Sequence, residues 1–242
     1  MSGHSKWSTI KRKKEKTDAQ RANIFTKIGR QISVCVKESG PDPSVNYKLK
    51  ELILKAKANN VPNDNISRII KKAAGDNSKN DFETIIYEGY GPSGVAIIVE
   101  TLTNNRNRTA GDLRHYFDKF GGNLGQNGCV SFLFEDKGVI TIISDDIKDQ
   151  DKLMNDCLEL NIQDIEFSDD NDAIIYTNPE DLKETTDSLE KLNYKITSAQ
   201  VDKIPSTEVT ITDEAITSKL EKLLDLLDDN DDVQNVWHNW SV

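Results

Sequence analysis

The sequence has few of the features that mark secreted, membrane-spanning or metal-binding proteins. Its 242 residues include three cysteines, Cys35, Cys129 and Cys157, with no Cys-x-x-Cys pair. An odd number at wide spacing argues against a disulfide framework and against a zinc site, so we expect reduced thiols packed in the core. No run of 18 apolar residues occurs, and no apolar segment follows the basic N-terminus. We therefore expect a cytoplasmic protein with neither a membrane span nor a secretory signal.

The motifs of common catalytic chemistries are also absent. The three histidines, His4, His115 and His238, are far apart, and no His-x-x-x-His, Gly-x-Ser-x-Gly or Walker loop occurs. Zinc hydrolysis, serine acyl transfer and P-loop chemistry therefore have no motif to support them. Paired acids such as Asp145 and Asp146 favour a solvated surface over catalytic carboxylates. We predict that the protein is not an enzyme and holds no metal or cofactor.

One stretch, EGYGPSG at residues 88–94, does have the Gly-x-Gly-x-x-Gly spacing of dinucleotide-binding proteins. In that motif a helix follows the glycines and presents its N-terminus to the pyrophosphate. Here a β-rich run at residues 95–99 follows them, and Pro92 removes a backbone N–H. We interpret the stretch as a β-hairpin turn in which glycines supply positive φ.

Charge is divided unevenly along the chain. Residues 1–75 hold 17 Lys and Arg against 6 Asp and Glu, a net charge of +11, whereas the remainder holds 14 against 35, a net charge of −21. We call these parts the head and the body. Such asymmetry is typical of a protein with a polyanion-binding segment. Because the body would repel phosphate, a nucleic acid is expected to bind the head.

Hydrophobic spacing in the head predicts three helices after a basic arm at residues 1–16. The first begins at Thr17 or Asp18 and ends at Ser39. The second is capped by Asp42-Pro43 and ends near residue 60, and the third covers residues 63–75. We predict a basic helical nucleic-acid-binding domain over residues 1–76, joined to the body by a polar linker.

In the body, the spacing of hydrophobic residues changes from helical to alternating. Strands are predicted at 83–88, 95–102 and 129–134, with a helix capped by Thr109 and stopped by Gly121-Gly122. Residues 138–200 predict the ferredoxin-like order β-α-β-β-α-β, with helices at 147–160 and 178–192 and the last strand at 194–200. A final β-α-β occupies residues 208–240.

The tail of about 35 residues is too short to bury a core of its own. We therefore predict that it completes the second domain, which would comprise residues 77–136 and 206–242. Residues 137–205 would then be an inserted ferredoxin-like α/β domain. The predicted fold class is α+β, with an N-terminal three-helix domain and two α/β sandwich domains, the last inserted in the middle one.

The candidate binding residues are the basic side chains of the head and one aromatic residue. The predicted nucleic-acid contacts are Lys6, Trp7, Lys11, Arg12, Lys13, Lys14, Lys16, Arg21, Lys27, Arg30, Lys55, Lys57, Arg68, Lys71 and Lys72. Cations that neutralise phosphates release counterions, so affinity would fall steeply with salt. The arm would enter a groove, with Trp7 stacked on a base or ribose. Two alternatives stay open: the basic face is solvated or docks on the acidic body, and Trp7 is a hydrophobic anchor.

A second group of candidates lies in the body. Arg106 and Arg108 precede the N-terminus of a predicted helix, where an anion binds favourably. Together with Tyr90 they form a candidate secondary contact. A structural loop held by hydrogen-bonding Asn side chains explains the same residues equally well.

Several motifs resemble those of the YebC/PmpR family of probable transcriptional regulators, which includes a mitochondrial translational activator of a cytochrome oxidase subunit. The motifs are Gly3-His4-Ser5-Lys6-Trp7, Ile24-Phe25-Thr26-Lys27, Asn60-Val61-Pro62 with Asp64-Asn65-Ile66, Tyr87-Glu88-Gly89-Tyr90-Gly91-Pro92 with Gly94-Val95-Ala96, Asn104-Asn105-Arg106-Asn107-Arg108-Thr109 and Gly121-Gly122-Asn123-Leu124-Gly125. The likeness covers the full length and is most specific through about residue 135. The chain departs from the family at Gln20 and Asn23, where members are commonly basic, which argues against tight duplex binding by the first helix.

The resemblance implies a three-domain cytoplasmic protein without enzymatic activity. It implies DNA binding in some bacterial members and action on translation at the ribosome in others. Two functions follow as expectations. The first is a transcriptional regulatory protein that binds DNA through the head; the second is a ribosome-associated translation factor that binds ribosomal RNA with the same surface. We expect a monomer without a membrane partner.

Overall fold

The computed structural model describes residues 18–76, 82–143, 147, 149–168 and 171–241, with only the backbone given for residues 18–22. The chain divides into two compact units. One contains Leu133–Glu208, and the other contains the described residues up to Phe132 and again from Val209 onward. Helical segments come first and antiparallel sheets follow, which confirms the predicted α+β class. The domain boundaries at residues 76, 136 and 206 stay a prediction.

The elements of the described chain follow in order. The helices are α1 (Asp18–Ser39), α2 (Tyr47–Ala58), α3 (Asn63–Gly75), α4 (Arg106–Lys119), α5 (Gln150–Leu158), α6 (Leu182–Lys191) and α7 (Glu214–Asp229). The strands are β1 (Glu83–Tyr90), β2 (Ala96–Thr103), β3 (Asn123–Leu124), β4 (Phe134–Ile142), β5 (Ile162–Phe167), β6 (Ala173–Thr177), β7 (Ser198–Pro205), β8 (Val209–Thr210), β9 (Val233–His238) and β10 (Trp240–Ser241).

The three helices of the head pack around one apolar cluster. Ile32 of α1, Leu49 of α2 and Ile66 of α3 are buried there. Each helix therefore turns one stripe inward, as the three- and four-residue spacing predicted, and leaves its polar face outside. The predicted bounds of α1 and α3 are confirmed.

The start of α2 depends on a buried side chain. Asn46 accepts a hydrogen bond from the Leu49 backbone N–H at 3.0 Å. Its amide nitrogen donates to the carbonyl oxygens of Cys35 at 3.2 Å and Gly40 at 2.8 Å. Asn46 thus caps α2 and ties it to the end of α1, which fixes Tyr47 as the first residue of the helix.

The predicted cap of α2 at Asp42-Pro43 is wrong. The Asp42 carboxylate instead accepts hydrogen bonds from the backbone N–H and the hydroxyl of Ser44, which closes a local turn. These two bonds lower the pKa of Asp42. An Asp side chain that accepts hydrogen bonds from the residue two positions later favours a turn over a helix start. The Asp42-Pro43 pair therefore gave a wrong prediction of the cap.

One antiparallel sheet in the second unit has the strand order β3-β1-β2-β9. The tail strand β9 pairs with β2, with His238 opposite Ile97. Ile97 and Val99 of β2 pack in one buried cluster with Phe117 of α4 and Leu223 of α7. The two helices therefore cover one face of a sheet to which both ends of the body contribute. Within the tail, β8 and β10 form a parallel pair.

Two predicted elements of this unit are wrong in position. No strand runs over residues 129–133 in the described chain, and β4 begins only at Phe134. The strand that follows α4 is β3, and Ser131–Leu133 form a short 3-10 turn. The helix begins at Arg106, not at Thr109, because the side chain of Asn105 accepts the Arg108 backbone N–H at 3.1 Å.

The unit of residues 133–208 has one antiparallel sheet in the order β5-β6-β4-β7. This order, with α5 and α6 as the crossovers, is that of the predicted ferredoxin-like fold. Ile140 and Ile175 of the sheet share a buried cluster with Leu153 of α5 and Leu189 of α6. The helices are shorter than predicted, and the last strand is β7 at Ser198–Pro205, later than the predicted 194–200.

The three cysteines are unpaired, as predicted. Cys35 and Cys157 are buried and Cys129 is half-buried. Burial raises the pKa of Cys157 to about 11, which disfavours the thiolate form. None of the helices in the described segments has the length and apolar character needed to cross a membrane.

Candidate nucleic-acid interface

The outer face of α3 carries three exposed cations. Arg68, Lys71 and Lys72 stand three and four residues apart, so they share one side of the helix. The buried residues Ile66 and Ala73 lie on the opposite side, in the head cluster. This face therefore presents a compact positive surface to solvent.

The outer face of α2 combines cations with two exposed apolar side chains. Tyr47 is 51% exposed and Leu54 is 57% exposed. Lys50 lies with its Nζ atom 5.7 Å from the centroid of the Tyr47 ring. Lys57 is exposed and Lys55 is half-buried on the same helix. The face is therefore basic, with an aromatic and an aliphatic group in it.

Two predicted contacts of α1 are engaged inside the molecule. The Nζ atom of Lys27 donates a hydrogen bond to the carbonyl oxygen of Asp228. The guanidinium of Arg30 donates to the Asp232 carboxylate at 2.7 Å and to the Leu102 carbonyl oxygen at 3.1 Å. It also lies 5.2 Å from the centroid of the Phe82 ring. These contacts hold α1 on the sheet domain of the same unit.

Asp232 is the centre of this contact. Its second carboxylate oxygen accepts hydrogen bonds from Arg108 Nη2 and Thr109 Oγ1, both at 2.7 Å, and from Thr103 Oγ1 at 3.2 Å. Burial opposes the ionisation of this carboxyl, but the hydrogen bonds from Arg108, Thr109 and Arg30 outweigh it and lower the pKa of Asp232. A buried aspartate is thus held charged between two guanidinium groups.

This geometry changes the interpretation of two predicted contacts. The Arg30 side chain, 19% exposed, and the Arg108 side chain, 50% exposed, both pair with Asp232. The alternative of a structural loop held by Asn side chains therefore fits Arg108. Its side chain donates to Asp232, and its backbone N–H donates to the side chain of Asn105. Arg106 is exposed, and its carbonyl oxygen accepts a bond from the Tyr87 hydroxyl at 3.4 Å.

Tyr90 stands beside a loop held by a buried carboxylate. The carboxylate oxygens of Glu88 accept the backbone N–H groups of Gly128 at 2.8 Å, Val130 at 2.9 Å and Ser131 at 2.8 Å. Burial opposes this charge, but the three amides outweigh it and lower the pKa of Glu88. These N–H groups are therefore unavailable to a sheet ladder, which explains why no strand runs over residues 129–133.

The exposed part of Tyr90 is limited. Its hydroxyl donates to the Cys129 carbonyl oxygen at 3.0 Å, and the residue is 37% exposed. This hydrogen bond holds Tyr90 against the Glu88 loop.

The glycine stretch is a hairpin turn, as predicted, because β1 and β2 are antiparallel on either side of it. Glycine is favoured at position 94 because the backbone there has a φ of +75°. Glycine is favoured at position 89 because the neighbouring strand is close: a Cβ atom would lie 2.6 Å from the Asn123 carbonyl oxygen. No helix follows to receive a phosphate.

The remaining predicted contacts lie outside the described residues or side chains. They are Lys6, Trp7, Lys11, Arg12, Lys13, Lys14, Lys16 and Arg21. Among the side chains that the structure does describe, no group of three His, Cys, Asp or Glu could hold a metal ion.

Sequence reasoning missed Asp232, Glu88 and Asn46. Asp232 stands in a run of acidic and amide residues at 228–232, where nothing local distinguishes it from solvated neighbours. Glu88 lies in the glycine stretch and in a family motif, but neither pattern indicates that its carboxylate binds the loop of residues 128–131. The signal that could have identified it is an acidic residue near the end of a β-rich run, since an unpaired buried charge there is costly.

Two family models match the chain. The TACO1/YebC protein N-terminal domain matches residues 5–76, and the TACO1/YebC second and third domain matches residues 82–240. The chain belongs to the TACO1/YebC family. The resemblance found in the motifs is therefore confirmed.

Relatives in the TACO1/YebC family match over nearly their whole length. A probable transcriptional regulatory protein of Acetivibrio thermocellus is 55% identical over 240 residues, which cover 99% of each chain. Another from Finegoldia magna is 54% identical over 240 residues, again 99% of each. A solved structure, a conserved hypothetical protein from Aquifex aeolicus, is 44% identical with a TM-score of 0.82, over 93% of this chain and 92% of that one. The TACO1/YebC fold is thus shared, and relatives are named as regulators of transcription.

Proposed function

We propose that this protein is a transcriptional regulatory protein that binds DNA through the outer faces of α2 and α3. The names of its relatives support regulation of transcription. The observation that carries the proposal is the exposed cation set of Lys57, Arg68, Lys71 and Lys72, on the sides of the helices opposite their shared core. Cations on one face neutralise phosphates together, so DNA affinity would be salt-dependent and largely independent of sequence.

The basic arm at residues 1–16 completes the proposed surface. Lys6, Trp7 and the basic residues to Lys16 extend the cation set beyond the described residues, as predicted from the sequence. Lys27 and Arg30 are left out of the proposed contact because their cationic groups bond to Asp228 and Asp232. Arg106 and Tyr90 stay a proposed secondary contact.

The experiment is DNA binding by the full chain, measured by fluorescence anisotropy with a random-sequence duplex. The variant exchanges Arg68, Lys71 and Lys72 for Gln. A matched control exchanges three exposed lysines of the body for Gln and so removes the same charge; these are Lys152, Lys191 and Lys222. The head variant is expected to bind at least about tenfold more weakly, because each phosphate contact adds to the counterion release. Equal weakening of DNA binding in both variants would show that only the net charge of the protein matters, and it would contradict the proposal.

A second candidate is a ribosome-associated factor that binds ribosomal RNA with the same surface. The charge division favours it, since a body of net charge −21 suits contact with basic ribosomal proteins. Sedimentation with ribosomes at graded salt, run beside gel shifts on random and promoter DNA, separates the two. Co-sedimentation that requires residues 1–16, together with weak non-specific DNA binding, would favour this candidate. A sequence-selective DNA footprint without ribosome association would favour the first.

The proposed organisation has three domains in a cytoplasmic monomer. They are residues 1–76, residues 77–136 with 206–242, and an inserted domain at 137–205. The separate family matches at 5–76 and 82–240 support a boundary in the linker between head and body.

A further inference from the structure

The sheet in the unit of residues 133–208 ends on one side at strand β5. Among the strands that the structure describes, β5 pairs only with β6, regularly from Asp164 to Phe167 after a bulge. The Ile165 backbone N–H donates to the carboxylate of its neighbour Asp164 at 2.8 Å. An adjacent side chain, and not a further strand, therefore satisfies this amide. Edge strands of this kind present backbone groups with which another chain can pair.

An apolar pair of side chains on α5 lies beside this edge. α5 packs on β5, whereas α6 packs on β4 and β7. The buried Leu153 marks the side of α5 that faces the sheet. Asp156 lies on one flank, where its carboxylate accepts the hydroxyl of Tyr194, in the segment after α6, at 2.7 Å. Helical spacing places Met154 and Leu158 on the opposite flank, which faces away from α6 and toward the β5 edge.

Both side chains of this pair are largely exposed. Met154 is 44% exposed and Leu158 is 76% exposed. They stand one turn apart, about 6 Å along the helix axis, and no other residue lies between them on this flank. Asp151 precedes them there and is exposed. Residues on one face of a strand repeat at about 7 Å, so two alternate side chains of an added strand match the spacing of the pair.

The opposite face of β5 is acidic. Asp164 and Glu166 alternate with the apolar residues of β5 that pack under the helices. The Tyr176 hydroxyl donates to Glu166 at 3.3 Å, yet burial and the charge of Asp164 raise the pKa of Glu166. Lys137 lies with its Nζ atom 5.9 Å from the Tyr176 ring centroid, but it forms an ion pair within β4. Residues 133–208 hold 20 Asp and Glu against 7 Lys, so added positive charge is favoured here.

We propose that the β5 edge binds an extended basic segment of a partner protein, which adds a strand to the sheet. Its apolar side chains contact Met154 and Leu158, and its Lys or Arg side chains, on the other face, pair with Asp164 and Glu166. A carbonyl oxygen of the added strand accepts the Ile165 N–H, which frees the Asp164 carboxylate for a cation. In strand addition the backbone bonds supply affinity and the alternate side chains supply specificity. This interaction does not depend on nucleic-acid binding by the head.

A second copy of the chain is a poor occupant of this edge. Two copies of β5 paired across a two-fold axis would bring Asp164 and Glu166 of one copy near the same carboxylates of the other. Like charges on neighbouring strands destabilise the pairing. A nucleic acid is repelled by the same charges. A basic protein segment fits both the charge and the alternation of the site.

The test measures fluorescence anisotropy with the full chain and two labelled peptides of equal composition. One alternates Lys and Val, and the other has its Lys and Val in separate blocks. Leu158→Asn is expected to weaken the alternating peptide by about 5- to 20-fold, because an apolar contact is lost. Leu192→Asn, at an exposed leucine that follows α6, is the matched control and should change the affinity by less than about twofold. Circular dichroism checks that each variant is folded.

Hydrogen exchange locates the bound peptide. The alternating peptide should slow exchange of the β5 backbone amides at Ile165 and Phe167 and leave those of β7, at the other edge of the sheet, unchanged. Protection of β7 instead would overturn the proposal. Equal binding of both peptides would overturn it as well, because charge alone would then explain the affinity.

Other occupants give distinct results. If the alternating peptide binds only after deletion of residues 1–16, the basic arm of the same chain occupies the edge and the proposal is wrong. A dimer in sedimentation equilibrium that Leu158→Asn dissociates would identify a second copy as the occupant and would also overturn it. Absence of binding by the full chain and by the deletion variant would show that the edge takes no basic strand.

Discussion

The described part of the head has two basic faces with different roles. On α1, Lys27 and Arg30 reach the acidic end of α7 and the start of β9, where Asp232 binds the Arg30 guanidinium. On α2 and α3, residues such as Arg68 and Lys71 extend into solvent. The residue types are the same on both faces. Neighbouring carboxylate and carbonyl oxygens decide whether a cation stabilises the fold or remains available to a polyanion, and a count of charges does not distinguish the two.

The largest effect is expected from Asp232→Asn, which removes the charge that both arginines share. Breaking one side of a buried ion pair leaves the other charge uncompensated, so the free energy of unfolding should fall by about 3 kcal/mol. Urea unfolding monitored by circular dichroism measures it. Asp231→Asn is the matched control, because Asp231 is exposed and contributes only its carbonyl oxygen to Arg30. Equal effects of the two variants would show that Asp232 does not hold α1 on the body.

Arg30 and Arg68 should then behave in opposite ways. Arg30→Gln is expected to lower the free energy of unfolding by about 1–3 kcal/mol, since hydrogen bonds to a charged group are lost. Its DNA affinity should change little. Arg68→Gln should leave stability within about 0.5 kcal/mol of wild type and weaken DNA binding. Loss of both properties in either variant would remove the distinction between the faces.

Glu88→Gln should destabilise the loop of residues 125–131 by about 1–3 kcal/mol. An amide lacks the charge that strengthens the bonds from Gly128, Val130 and Ser131, and its NH₂ group cannot accept them. Hydrogen exchange of those three backbone amides should accelerate, while exchange of the head amides stays unchanged. Glu83→Gln, at an exposed position of the same strand, is the control. Unchanged exchange in the loop would contradict the role of Glu88.

The pH dependence of the two faces should also differ. The pKa of Asp232 is below its ordinary value of 3.8 in the folded protein, so its contribution to stability is present above that value and is lost as pH falls through the folded pKa. The stability difference between wild type and Asp232→Asn should therefore shrink between about pH 5 and pH 2. Arg68→Gln should show no such change in this range. A difference that grows on acidification would have the wrong sign for a depressed pKa.

Local signals predicted much of the fold. The apolar spacing of α1 and α3 and the residues at their ends identified both helices, because these signals are local in the sequence. The start of α2 was missed because Asn46 takes its partners from Cys35 and Gly40 in the preceding segment. Contacts of that kind leave no periodicity in the sequence.

The site was less predictable than the fold. The exposed cations of α3 follow from their helical spacing, since the opposite side is apolar. Arg30 and Arg108 pair with Asp232 over separations of up to 202 positions, and no sequence pattern near either arginine indicates this pairing. Composition predicted where a polyanion would bind, but only the tertiary contacts show which cations are already used.

The most direct test of the central claim is the salt dependence of DNA affinity for wild type, Arg68→Gln and Arg30→Gln. If Arg68 contacts a phosphate and Arg30 does not, the slope of log affinity against log salt should become shallower by about 0.9 for Arg68→Gln and stay unchanged for Arg30→Gln. The reverse order of slopes, or identical slopes in all three proteins, would contradict the claim that the two faces of the head have different roles.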